Sequence, residues 1–185
     1  GGGNQVTKMC KKLNLDVKIR NGRRITSIQD LEVAAMIYAG SLNKTLVTKL
    51  QSFNCNSIGL SGADANLIES VKRPVKEIDY GLVGDIKKIN SIFLKKLIDQ
   101  NLTPVICSIT HDKKGQLLNT NADTISSEIA ISLSKYYTVD LIYCHEKNGV
   151  LSNPNDDNST FGQLNEKEFN NCLLYTSPSP RDSSQ

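Results

Sequence analysis

Gln116 to Ser134 reads QLLNTNADTISSEIAISLS, and the reading of this stretch decides what kind of chain it belongs to. Short polar side chains alternate at Asn119, Asn121 and Asp123, then give way to Ile125, Ile129, Ala130 and Leu133, which fall on one face at helical spacing. Asn and Asp at the mouth of a helix suit capping, and the unpaired N–H groups of a first turn attract anions. Taken alone, these residues fit an ordinary N-cap better than an anion site. On either side stand short, nearly continuous apolar runs, Thr103 to Ile109 and Val139 to Cys144. Strand, helix, strand at this spacing predicts a right-handed crossover joining parallel strands buried on both faces, with ligands at their C-terminal ends.

Composition bounds the rest. With 185 residues, 38% of them hydrophobic and 22% charged, the chain has enough apolar surface for one sizeable core. The net charge of +3 is small and its Lys and Arg scattered, which argues against nucleic acid as a partner. No apolar run reaches the roughly 18 residues of a membrane span, so no membrane partner is expected. Five cysteines, widely spaced and without a Cys-x-x-Cys pair, indicate neither a zinc site nor a disulfide framework and fit a reducing cytoplasm. His111 and His145 are isolated from other ligand residues, so no metal site in the protein itself is expected.

Further along, punctuation is clear. Gly1-Gly2-Gly3 feeds Asn4 to Leu15, where Val6, Met9, Cys10 and Leu13 share a helical face; a glycine turn at a helix start lets backbone amides approach an anion. Val17 to Thr26 alternates around Asn21-Gly22 as a hairpin carrying Arg20, Arg23 and Arg24. Thr26-x-x-Gln29 and Ser27-x-x-Asp30 both fit a capping box ahead of a long helical stripe from Leu31 to Leu50, which Gly40 kinks or divides. Asn56 to Leu60 reads as a strand, and Val71 to Ile89 as a strand pair with Gly81 and Gly84 at turns or close approaches. Asn90 caps a helix over Ser91 to Gln100, with Ile92, Leu97 and Ile98 inward.

In order, Gly1-Gly2-Gly3, Asn21-Gly22-Arg23-Arg24-Ile25-Thr26, Gly40-Ser41-Leu42-Asn43-Lys44, Gly59-Leu60-Ser61-Gly62, Gly81-Leu82-Val83-Gly84 and Asn119-x-Asn121-Ala122-Asp123 resemble the amino acid kinase family. Within it, they look like the members that phosphorylate N-acetyl-L-glutamate. The similarity runs from Gly1 to about Asp157. It implies a three-layer α/β/α sandwich with a mainly parallel open sheet, of which residues 1–171 would be an incomplete kinase domain. It implies ATP with Mg2+ bound through the nucleotide, and a homodimer or higher homo-oligomer whose contact uses the helix after Thr26.

The resemblance also assigns positions. Gly2 and Gly3 match glycines lying between the acyl-amino acid and the transferring phosphoryl group. Arg24 matches the residue that grips the substrate α-carboxylate, a task suited to a guanidinium because it donates two parallel hydrogen bonds. Asn119 would hydrogen-bond the acyl-glutamate, Asn121 would support the turn, and Asp123 would hold two lysines that act on the phosphates. Gly149, Val150 and Leu151 match the nucleotide-binding segment, although Glu146 and Lys147 replace its usual Asp-Val pair.

Phosphoryl transfer to a carboxylate needs no base, because the acceptor is ionised near neutral pH. What it needs is positioning and the spreading of negative charge by cations and backbone N–H groups. The two lysines of the family pattern have no match here, so this chain is expected to be inactive by itself. Its start on Gly1-Gly2-Gly3 suggests that a strand precedes it, and Cys172 to Asp182, CLLYTSPSPRD, resembles translated sequencing adapter; residues 172–185 are expected to be a non-native, unpacked tail. Alternatives are another amino acid kinase, one that takes an N-succinyl acceptor, or a non-catalytic regulatory module that binds the ligand.

Overall fold

The computed structural model describes residues 2–20, 22–144, 149–153, 156, 158–163 and 165. The expectations for residues 172–185, and the Glu146-Lys147 replacement, lie outside the described residues. The chain divides into two compact units, Gly1–Ile19 with Arg24–Leu141, and Arg20–Arg23 with Ile142–Gln185.

Helix α1 (Gly3–Lys12) buries Val6 and Cys10 and ends with Lys11 and Lys12 in its last turn, where cations complement the helix dipole. Asn14 follows at φ 56°, in the left-handed region that asparagine tolerates. Strands β1 (Ile19–Arg20) and β2 (Arg23–Arg24) form the expected hairpin, with Gly22 at φ 71°. Helix α2 (Ile28–Ala35) starts from a capping box in which Asp30 N donates to Ser27 Oγ and Ser27 N donates to Asp30 Oδ2, both at 3.1 Å. It runs into a π-helical stretch, Met36–Leu42, and on into α3 (Asn43–Gln51). Gly40 lies within the π-helical turns, so the expected irregularity widens the helix there.

Strand β3 (Ser57–Leu60) pairs in parallel with β6 (Thr103–Ile106), from Ser57 opposite Thr103 to Leu60 opposite Ile106. The other strands, β4 (Ile68–Lys72), β5 (Val83–Ile89), β7 (Ile109–His111) and β8 (Leu117–Thr120), close on themselves in the order β4-β5-β8-β7. Pairing is mixed: β4–β5 and β7–β8 are antiparallel, β5–β8 and β4–β7 parallel. Between β5 and β6, helix α4 (Ser91–Asp99) is capped by Asn90, whose Oδ1 accepts from Phe93 N at 3.2 Å. After β8 comes α5 (Ala122–Leu133).

Three expectations change. The run Thr103 to Ile109 is two strands, because Cys107 N still donates to Leu60 O at 2.9 Å while Ile109 already pairs with Asn119. Val139 to Cys144 forms no strand; Val139 and Leu141 instead flank an apolar groove against Ile106 of β6 and Ile125, Ile129 and Leu133 of α5. The simple strand–helix–strand crossover is therefore replaced by a β7–β8 hairpin ahead of α5. In α4, Leu94 is the buried apolar residue and Ile92 points to solvent, 60% exposed.

Two apolar clusters hold the first unit together. One joins Val6 and Cys10 of α1 to Leu31, Val33 and Ala34 of α2 and to Cys107 and Ile109. The other joins Leu60, Leu67, Ile68, Leu94 and Ile125. Leu67, Ile68 and Leu94 are almost wholly removed from water, each contributing about 2 kcal/mol. Sheet residues thus feed one cluster under α1 and α2 and another under α4 and α5. Among the described residues, no helix is long and apolar enough to cross a membrane.

Candidate functional site

The α1 N-terminus is built to be open. Gly2 caps it without any side-chain hydrogen bond, and Gln5 N and Val6 N both turn back to the Gly2 carbonyl, at 3.0 and 3.1 Å. Gly2 is buried, and a Cβ there would lie 2.8 Å from Leu42 Cδ2. Gly3 is exposed with nothing within 4 Å of a Cβ position. A helix start with uncapped N–H groups and room beside it suits an anionic oxygen.

Arg24, at the end of β2, reaches this turn. Its Nη2 donates to Thr7 Oγ1 at 2.6 Å, and the Thr7 hydroxyl donates to the Gly3 carbonyl at 3.0 Å. The guanidinium is 10% exposed and faces the Asp30 carboxylate, itself 6% exposed, at 3.8 Å. Arg24 Nη1 is buried with no hydrogen-bond partner. Asp30 Oδ2 accepts from Ser27 N at 3.1 Å and Ser27 Oγ at 2.7 Å, while Cys10 Sγ donates to Oδ1 at 3.6 Å. Burial, and then the Asp30 charge, push the Cys10 thiol up, which keeps it protonated as a donor. Burial likewise raises the Tyr38 phenol, with Arg24 pulling in the opposite direction.

Asn119 is tied to the same segment from the sheet side. Thr26 is fully buried, and its carbonyl accepts from Leu82 N at 2.8 Å. Leu82 O in turn accepts from Asn119 N at 2.9 Å, and Asn119 Nδ2 donates to Thr26 Oγ1 at 3.2 Å. The short segment from Arg24 to Thr26 therefore carries the guanidinium at one end and holds Asn119 at the other. Asn121 caps α5, its Oδ1 accepting from Thr124 N at 2.9 Å. Asp123 is half-buried in the first turn of α5, its carbonyl accepting from Ser127 Oγ at 3.0 Å.

Gly149, Val150 and Leu151 belong to the second unit. There Leu151 is buried and bridges Thr160 in antiparallel fashion, and Phe161 N donates to Val150 O at 3.0 Å. Among the described residues, no group of three His, Cys, Asp or Glu side chains is gathered that could hold a metal ion.

Gly3, Arg24 and Asn119, all named from the sequence, are linked in the structure through Thr7, which no motif singles out, and Thr26, which the sequence marks only as a motif and capping candidate. Thr7 carried a usable signal, since it sits one helical turn beyond Gly3 on the face that meets the hairpin. Asp30 had been read only as a cap. Lys44 is exposed and sets its Nζ on Asn43 Oδ1 and Gly59 O, at 3.2 and 3.3 Å.

An open helix start, a buried guanidinium tied to it and the Asn119 amide held by Thr26 lie together in an α/β fold. The chain belongs to the amino acid kinase family, whose sequence pattern matches residues 1–181. It is 50% identical over 169 residues to the acetylglutamate kinase of Bacteroides fragilis, covering 91% of this chain and 65% of that one. Similarity to the acetylglutamate kinase of Phocaeicola vulgatus is also 50%, over 91% of this chain and 66% of the relative. The chain thus spans about 65% of the length of the curated relatives it matches. In structure it is similar to smu.665 from Streptococcus mutans, with a TM-score of 0.74 and 27% identity over 83% of this chain and 60% of that one.

Proposed function

We propose that the whole protein transfers the γ-phosphoryl group of ATP to the γ-carboxylate of N-acetyl-L-glutamate, a step of arginine biosynthesis, in the cytoplasm. The observation that carries this reading is the hydrogen-bonded path from Gly3 through Thr7 to Arg24, in a chain half identical to acetylglutamate kinases. Activity is assigned to the whole protein and not to this chain alone.

In this reading Arg24 binds the acceptor α-carboxylate and Asn119 donates to, or accepts from, its acyl-amide end. Gly2 and Gly3 leave the first N–H groups of α1 free for the γ-carboxylate and the incoming phosphoryl oxygens. Asp123, in the first turn of α5, orients cationic side chains toward the phosphates, and Gly149, Val150 and Leu151 contribute to nucleotide binding. Bound ATP supplies the phosphoryl group, with Mg2+ offsetting charge on its phosphates. The uncapped start of α1 fits this chemistry, because a helix N-terminus favours anionic oxygens. Each of these residues lowers the cost of bringing two anions together, and none needs to remove a proton.

The three-layer sandwich with a mainly parallel open sheet is proposed for the whole protein. It is supported by the parallel β3–β6 pair and by helices burying into two separate clusters. A homodimer or higher homo-oligomer is proposed to form through the long helical run, where Met36 and Leu46 are exposed, at 66% and 48%.

The test is product formation by the whole protein with MgATP, trapping the acyl phosphate with hydroxylamine. Hydroxamate from N-acetyl-L-glutamate, exceeding that from free glutamate, aspartate and N-succinyl-L-glutamate, is expected. A preference for any of those three would replace this reading.

A further inference from the structure

We propose that Thr7 is a positioning residue that sets acceptor length, because its single hydroxyl spans the gap between the Gly3 carbonyl and Arg24 Nη2. This rests on the reading in which Arg24 binds the acceptor α-carboxylate. A helical threonine commonly bonds back to the carbonyl four residues earlier and stops there. Thr7 makes that bond at 3.0 Å and then accepts from the guanidinium at 2.6 Å, so one oxygen serves both partners.

The other side of the guanidinium faces Asp30, which α2 holds through its capping box. An arginine side chain otherwise has much rotamer freedom to lose on binding. Here Thr7 fixes the head relative to α1, and Asp30 fixes it relative to α2. Of these two contacts, the Thr7 bond is the one that ties the guanidinium to the open α1 turn. An acceptor carrying a carboxylate at each end is measured against the distance between them. On the reading in which Arg24 takes the α-carboxylate, the expected preference is for the five-carbon acyl-amino diacid over its four-carbon homologue.

Replacing Thr7 by Val keeps the β-branched shape and removes the oxygen. In the whole protein, Thr7→Val is expected to raise the KM for N-acetyl-L-glutamate about tenfold and leave the KM for ATP unchanged. The preference for N-acetyl-L-glutamate over N-acetyl-L-aspartate should fall in the same variant. Thr7→Ser, which restores the hydroxyl, should return both quantities toward the parent values. Should Thr7→Val fail to fold, Thr7→Ala carries the same expectations. An unchanged acceptor KM and preference, a parallel rise in the KM for ATP, or a Thr7→Ser variant no better than Thr7→Val would each overturn the proposal. A parent protein that does not phosphorylate N-acetyl-L-glutamate would overturn the underlying reading instead, and the proposal with it.

Discussion

Asp30 faces Arg24 across 3.8 Å with both side chains at least nine-tenths buried, and the same carboxylate closes the capping box that starts α2. One acidic side chain thus begins a helix and balances the buried Arg24 charge.

Losing Asp30 should therefore cost more than losing an ordinary cap. Asp30→Ala removes the acceptor for Ser27 N and leaves Arg24 as a buried charge facing no anion. A stability loss of about 3 kcal/mol is expected, against about 1 kcal/mol for a cap alone. Urea denaturation of both proteins checks this; a loss of the smaller size would mean that the Arg24 contact contributes little.

Gly81 stands at φ 70°, and a Cβ there would strike the carbonyl of Thr26. Because Thr26 also holds Asn119, Gly81→Ala should disturb stability and the site together. A loss of about 1–3 kcal/mol is expected. Thermal unfolding would expose the error if the alanine variant melted with the parent.

At α5, Asn121→Ala removes the side chain that accepts from Thr124 N and should cost about 1 kcal/mol. Asn121→Ser should recover most of it. If both variants unfold at the parental midpoint, the cap is not what starts this helix.

Asp112 gives a dependence on acid. Its Oδ1 accepts from Lys114 N at 2.7 Å and Gln116 N at 3.1 Å, and these bonds hold its carboxyl below the usual range. The stabilisation is complete above the unfolded value of about 3.9 and fades as pH falls through the lower folded value. The difference in unfolding midpoint between parent and Asp112→Asn should accordingly shrink between about pH 5 and pH 2. A difference that stays constant over that range contradicts the assignment.

Much of this was legible in sequence because local chemistry dictates it. The hairpin turn at Gly22, the Asn90 and Asn121 caps and the irregularity around Gly40 all follow from residues acting on their own backbone. The choice between two overlapping capping boxes was not legible. Ser27 wins because Thr26 is drawn into the sheet, its hydroxyl occupied by Asn119, a residue 93 positions away. Val139 to Cys144 failed as a strand for a related reason: an apolar run becomes a strand only where a neighbouring edge pairs with it, and composition does not report the neighbour. Arg24 and Asn119 could be named from their motifs. The roles of the threonines joining them could not, because each acts through a contact between distant segments.

Arg24, held between Thr7 and Asp30, is proposed to grip the acceptor carboxylate, and steady-state kinetics of Arg24→Lys in the whole protein decide the matter. Lysine keeps the charge and loses the planar fork, so the KM for N-acetyl-L-glutamate should rise tenfold or more, a change of about 1.4 kcal/mol, while the KM for ATP stays put. An Arg24→Lys enzyme with the parental acceptor KM would contradict the account.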